Sequence, residues 1–211
     1  MQTSKNALLF LLTVFSIQLN AQHYPGFSAK TVAQLNTAAK TTYLNNDEKE
    51  VVLLMNLARH NGKVFWDSIA EPYIKVEGLS ESSYTRSLKV DLEKTIDLQP
   101  LYPNEQLYEV AKKHALASGK QGSLGHDSSA GTFKSRMHPL RTNFRIVSEN
   151  CDYGSNKAID ILMNLLIDED IPDVGHRENI LDGRMNSVGN SIQQHRNYKF
   201  TNVQVFGQKA E

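Results

Sequence analysis

The sequence predicts an α+β domain, and three observations carry that prediction. Apolar residues recur at helical spacing in several separate segments, two alternating stretches near the C-terminus read as strands, and the helices precede and interrupt those strands instead of alternating with them. No internal repeat or low-complexity tract divides the chain, so a single domain is expected.

The first stretch reads as a leader. Lys5 precedes an apolar run over residues 7–17, and a short polar stretch ends at Ala21. The run is too short for a membrane-spanning helix, which needs roughly 20 apolar residues. Its charge, length and small terminal residue fit a secretory signal peptide over residues 1–21. Residues 22–46 are polar, contain Pro25 and Gly26, and are expected to be a linker with at most one weak helix. The single domain is then expected over residues 47–211.

That domain opens with a strong helical signal. Asp47 and Glu50 have capping-box spacing, Val51, Leu54, Met55 and Ala58 share a face, and Asn61-Gly62 stops the run. Residues 63–100 are less regular: Val64, Phe65 and Trp66 form an aromatic knot, Pro72 is expected to interrupt any long helix, and a second helix is expected over 81–96. Pro103-Asn104 starts a third helix, in which Leu107, Val110, Ala111, His114 and Ser118 share a face before Gly119 and Gly122 close it. A polar loop follows, then a short helix near Phe133 to Met137. Residues 145–149 read as a strand, and Ala158, Ile161, Leu162 and Leu165 mark a fourth helix ending at Asp168-Glu169-Asp170. Two strands, at 187–193 and 199–206, turn at His195-Arg196-Asn197.

Composition excludes some functions. The 23 basic and 23 acidic residues balance, and no basic stripe offers the electrostatic footprint of a nucleic-acid binder. Beyond the leader no stretch approaches transmembrane length. Cys151 is the single cysteine, so the chain has no intrachain disulfide and must be held by packing. That suits a bacterial periplasmic or extracellular protein better than a disulfide-stapled one. With no motif around it, Cys151 reads as a small buried residue and not as a nucleophile.

Three short segments place ionisable or metal-ligating residues in irregular backbone, where sites usually lie: Gly125-His126-Asp127, Ser148-Glu149-Asn150 and Gly175-His176-Arg177-Glu178-Asn179. Two imidazoles and a carboxylate form a common zinc ligand set, although no motif fixes His126 and His176 on one helix face. Each residue also has a structural reading. Glu149 could pair with a cation such as Arg177, and His176 could cap the helix that follows it. His114 shares an apolar face and reads as a core histidine with a satisfied hydrogen bond. His195, at a hairpin tip, is expected to face solvent. Asn179 and Arg177 are expected to position His176 or close a loop.

The order of these segments resembles the CAP superfamily (cysteine-rich secretory proteins, antigen 5 and pathogenesis-related 1; the SCP domain), and its bacterial branch in particular. The matching pieces are EVVLLMNLAR, LYPNEQLYEVAKKHALASGKQGSLGHD, SEN, VGHRENIL and the closing VGNSIQQHRNYKFTNVQVFG, over roughly residues 48–207. The resemblance implies an α-β-α sandwich with a small, mostly antiparallel sheet of three or four strands. It also implies a cleft with two histidines, His126 and His176, and two acids, the first being Glu149. In family members the two histidines can hold zinc or another divalent ion. In the eukaryotic pattern the second acid, a Glu, follows a Trp on the helix before the second histidine; this chain has Leu162 and Leu165 at about those places. Asp168 leads Glu169 and Asp170 as a replacement, and without one the tetrad is a triad.

Two functions follow as expectations. One is a secreted or periplasmic protein that binds a divalent metal, a small ligand such as a lipid, a glycan or an extracellular protein. The other is a metal-assisted hydrolase using His126, Glu149 and His176, with Asp168 as a further catalytic candidate. Binding is preferred, because a third zinc ligand is not evident and no GxSxG motif occurs.

Overall fold

The structure, a computed structural model, describes residues 24–209; the leader expected at 1–21 lies outside them. The segment expected as a linker is, from Tyr24 on, part of the domain. It carries α1 (Ala29–Leu35), N-capped by Ser28, and buries Tyr24, Leu35, Ala38 and Leu44. Those residues are spaced too irregularly to give a periodic signal, which is why the segment reads as polar chain.

Helix α2 (Asn46–His60) is capped two residues earlier than expected: Asn45 accepts from the Glu48 N–H, and the Glu48 carboxylate accepts from the Asn45 N–H. Its buried residues include Val51, Leu54, Met55 and Ala58. Beyond Asn61 come α3 (Gly62–Phe65), a π-helical turn (Trp66–Ala70) and α4 (Glu71–Val76). Pro72 does not break this run; it falls at the start of α4, directly after the π-helical turn in which the Glu71 N–H bonds the Trp66 carbonyl. Helix α5 (Ser83–Lys94) carries its own capping box from Ser82 and Thr85.

A two-residue strand, β1 (Tyr102–Pro103), leads into α6 (Glu105–Gln121), which starts at the Asn104 cap and ends at Gly122 in the left-handed region, φ 73°. Helix α6 lies directly on the sheet because two glycines let backbones meet. A Cβ on Gly119 would sit 2.1 Å from the Gln194 carbonyl oxygen, and one on Gly189 would sit 2.1 Å from the Leu107 carbonyl carbon. Helix α7 (Phe133–Met137) and a 3-10 turn (His138–Thr142) precede β2 (Phe144–Tyr153), which runs on past the expected strand end at Glu149. Helices α8 (Ala158–Ile167) and α9 (Gly175–Leu181) then lead to β3 (Ser187–His195) and β4 (Lys199–Lys209).

The four strands are ordered β1-β3-β4-β2. Both β2·β4 and β3·β4 are antiparallel; the short β1 joins β3 in parallel, which makes the sheet mixed. Helix α6 covers one face over Leu107, Ala111, Ala115, Val203 and Val205. Helices α2 and α8 cover the other through Leu54, Leu162, Val188 and Phe206. The α-β-α sandwich therefore has two cores, with β2 at the sheet's outer edge.

Candidate histidine and carboxylate groove

Alternation along β2 sends Glu149, Cys151 and Tyr153 towards the α6 side and Asn150 and Asp152 towards α8 and α9. Each set meets one of the predicted histidines. Glu149 is 4% exposed, and its Oε1 accepts from His126 Nδ1 at 3.0 Å. The cation that pairs Glu149 is Arg136 of α7, not Arg177. Its Nη1 and Nη2 bind the two carboxylate oxygens, the latter at 2.8 Å, and Nη2 also donates to the His126 carbonyl at 2.6 Å. Burial alone would push the Glu149 carboxyl up; the hydrogen bonds from Arg136 and His126 outweigh it and hold the carboxyl below its ordinary value. Sequence reasoning missed Arg136, which lies in no motif.

His176 forms the second pair. Asp168 is the C-cap of α8 in the left-handed region, φ 58°, and its Oδ1 accepts from His176 Nδ1 at 2.7 Å. Its Oδ2 accepts from the His176 and Arg177 backbone N–H groups. A carboxylate only accepts, so Nδ1 carries the proton in both pairs. That leaves Nε2 of His126 and of His176 without a protein partner among the described residues, and in the neutral ring this nitrogen carries the lone pair. His176 does not cap α9 with its side chain. Arg177, 1% exposed, is structural: it donates to the Leu166, Ile167 and Tyr84 carbonyls and pairs with Asp91.

Asn150 and Asn179 hold the second pair against the sheet. Asn150 Nδ2 donates to the His176 carbonyl at 3.0 Å, and Asn179 Nδ2 donates to Asn150 Oδ1 at 2.8 Å. From there buried amides cross the sheet head to tail: Asn150 to Gln204, Gln204 to Asn202, Asn202 to Asn190, and Asn190 to the Glu48 carbonyl.

His114 is fully buried, as expected of a core histidine, with Nδ1 on Ser128 Oγ at 2.9 Å and Nε2 on the Gly125 carbonyl at 3.0 Å. Burial pushes its imidazole down and the Cys151 thiol up. His114, Glu149 and Cys151 offer ligand atoms within 4.8 Å of one another, the spacing a metal ion needs. Those atoms are already engaged, however. Both ring nitrogens of His114 and both oxygens of Glu149 have partners, and the Arg136 guanidinium already supplies the positive charge. His195 differs from expectation. It is 3% exposed, because the hairpin tip folds onto the loop after α6: Nε2 bonds the Ser123 carbonyl and Nδ1 accepts from the Asn197 and Tyr198 N–H groups.

A cavity of about 520 Å³ opens at the edge of the sheet. Leu79, Cys151 to Tyr153 of β2, the end of α8 and His176 line it. His126 is not part of that lining; its Nδ1 stands 3.8 Å from the Cys151 sulfur. Asp152 was not anticipated. It is 6% exposed, Oδ1 accepts from Asn164 at 3.2 Å, and Oδ2 has no partner.

The chain matches the cysteine-rich secretory protein family (CAP) over residues 54–207. Among solved structures it is similar to an extracellular protein containing an SCP domain from Bacillus anthracis, at 17% identity and TM-score 0.48, over 87% of this chain and 44% of that one. An outer surface protein from Borrelia burgdorferi gives 18% identity and TM-score 0.46, over 67% of this chain and 96% of that one. A cysteine-rich secretory protein from Staphylococcus aureus gives 13% and 0.43, over 79% and 41%. This chain thus spans less than half the length of the Bacillus and Staphylococcus proteins. No curated protein matches it.

Proposed function

From the premise that this chain belongs to the CAP family, matched over residues 54–207, we propose that it is a secreted or periplasmic binding protein whose groove at the β2 edge holds a divalent metal and a small ligand. One observation carries the metal reading: two imidazoles are each fixed at Nδ1 by a buried carboxylate, with Nε2 left open. Carboxylates oriented in this way on metal-ligating histidines raise the ligand basicity and fix the ring. His126 and His176 are the residues that would hold a zinc or similar ion, and Glu149 and Asp168 would orient them. As a direct ligand, Glu149 would have to give up Arg136 or His126. Bound zinc would supply Lewis acidity and lower the pKa of a coordinated water.

The leader-like run at the N-terminus and the secretory character of the family support the location. No helix among the described residues is long and apolar enough to cross a membrane. A glycan or protein partner on the outer surface remains an outcome of ligand capture and does not form part of this reading.

The reading is tested by zinc titration in native mass spectrometry and calorimetry, with His126→Ala and His176→Ala in parallel. Stoichiometric binding, removable by a chelator and lost in both variants, is the expected result. Equal zinc affinity in wild type and both variants would overturn the metal reading.

Metal-assisted hydrolysis is a second reading, favoured by the Asp168–His176 contact. That contact brings Asp168, the further catalytic candidate, against one of the two histidines. Ester turnover by the zinc-loaded protein, lost in Glu149→Gln, would select it.

A further inference from the structure

The cavity beside β2 has an uneven chemistry. Leu79, Leu165, Ile167 and Ile171 give it apolar walls, yet three carboxylate residues, Asp152, Asp168 and Glu169, also line it, and none of the lining residues is Lys or Arg. Two of these acids have partners: Asp168 holds His176, and Glu169 accepts from Ser82 Oγ at 2.8 Å. Asp152 is the exception, more than nine-tenths buried with Oδ2 unpartnered. A buried polar atom without a partner calls for an explanation, and of the six such side-chain atoms among the described residues only Asp152 Oδ2 belongs to a residue lining this cavity. Burial, with Asp160 adding to it, pushes the Asp152 carboxyl up to about 7; Asn164, the Tyr153 backbone N–H and His176 oppose that rise. Oδ2 thus lacks a hydrogen-bond donor, and no Lys or Arg of the lining offers it positive charge.

Resting on the groove-binding reading, we infer that this cavity accepts a small amphipathic amine, with the ammonium at Asp152 and the hydrocarbon along Leu79, Leu165 and Ile171. The volume, about 520 Å³, lies within the range of small-molecule sites. The acidic lining makes the site selective, since a carboxylate head of equal length would meet like charge and an alcohol would gain no ion pair. The inference needs no metal, as none of these contacts uses Nε2 of either histidine.

The test is calorimetry on the mature protein with three probes of one chain length: octylammonium, octanoate and 1-octanol. Octylammonium should bind at least tenfold more tightly than the other two. Asp152→Asn should weaken octylammonium binding about tenfold and leave 1-octanol unchanged. Glu169→Lys, at an exposed position where folding is not at stake, should weaken octylammonium binding and strengthen that of octanoate. Equal affinity for all three probes would overturn the amine inference while sustaining an apolar groove. Absence of binding by every probe, with zinc still bound, would overturn the amine inference and leave the metal reading standing. Failure of probes and zinc together would overturn both.

Discussion

Glu149 reaches His126 from the middle of a β-strand with a guanidinium clamped behind it, whereas Asp168 reaches His176 from a helix end with only backbone N–H groups behind it. At the ring the two pairs are alike: Nδ1 on a carboxylate, Nε2 without a protein partner among the described residues. Behind the ring, one is held by charge and the other by backbone conformation. The comparison teaches that one chemical unit can be built from two unrelated supports, and that the supports should fail differently.

The largest difference is expected from Arg136→Met. It strands a buried carboxylate, and breaking a buried pair in this way costs about 3–5 kcal/mol. Urea unfolding should show that loss, and a cost below about 1 kcal/mol would mean that Glu149 does not depend on the clamp. Asp168→Asn should behave otherwise. Asn tolerates the left-handed backbone, so the fold should persist, while weaker orientation of His176 should lower zinc affinity roughly 10–100-fold. An unfolded Asp168→Asn protein would show that this pair too is held by charge.

Asp152 sharpens the comparison, because it lies three residues from Glu149 and shifts the opposite way. Its folded carboxyl, pushed up to about 7, favours the proton more than the unfolded chain does. The resulting stability is full below the unfolded carboxyl value and is lost as pH rises through about 7. The lowered Glu149 carboxyl acts in reverse: its contribution is present above the unfolded value and is lost as pH falls through the folded one. Asp152→Asn should therefore gain in Tm over wild type as pH rises from about 5 to 8. A constant difference would show that Asp152 does not titrate in that window. The smallest effect is expected from His126→Ala: its side chain is 46% exposed, and removing it should cost under about 1 kcal/mol while abolishing zinc binding.

Much of this was legible in the sequence because periodicity and punctuation are local. The 3.6-residue spacing around Leu107 and Ile161, the Asn104 and Gly122 boundaries and the C-terminal hairpin needed no tertiary information. The His126 and His176 segments could be singled out because they interrupt that regularity; nothing local distinguished Asp168 from Glu169 and Asp170, and its contact with His176 is a tertiary one. The rest depends on contacts distant in sequence. Arg136 gains its meaning only when α7 folds against β2, and His195 is buried only because the loop after α6 lies over the hairpin tip. Residues 24–44 join the core through Tyr24, Leu35, Ala38 and Leu44, a scatter with no period. Asp152 follows the recognised Ser-Glu-Asn with nothing local to mark it.

The amide row across the sheet also bears on how the strands find their alignment. Inside–outside patterning forbids a slip of one residue but is blind to a slip of two, which keeps every side chain on its own face. Gln204 stands opposite both Asn150 and Asn190. Moving β4 by two places would bring Asn202 or Phe206 to that position. With Phe206 there, the buried Asn150 and Asn190 would lose their relay, at about 1–3 kcal/mol for each group left unsatisfied. The same row that seats His176 thus acts as a key for strand register, rejecting the slip that sets Phe206 at its centre, which hydrophobicity alone would accept.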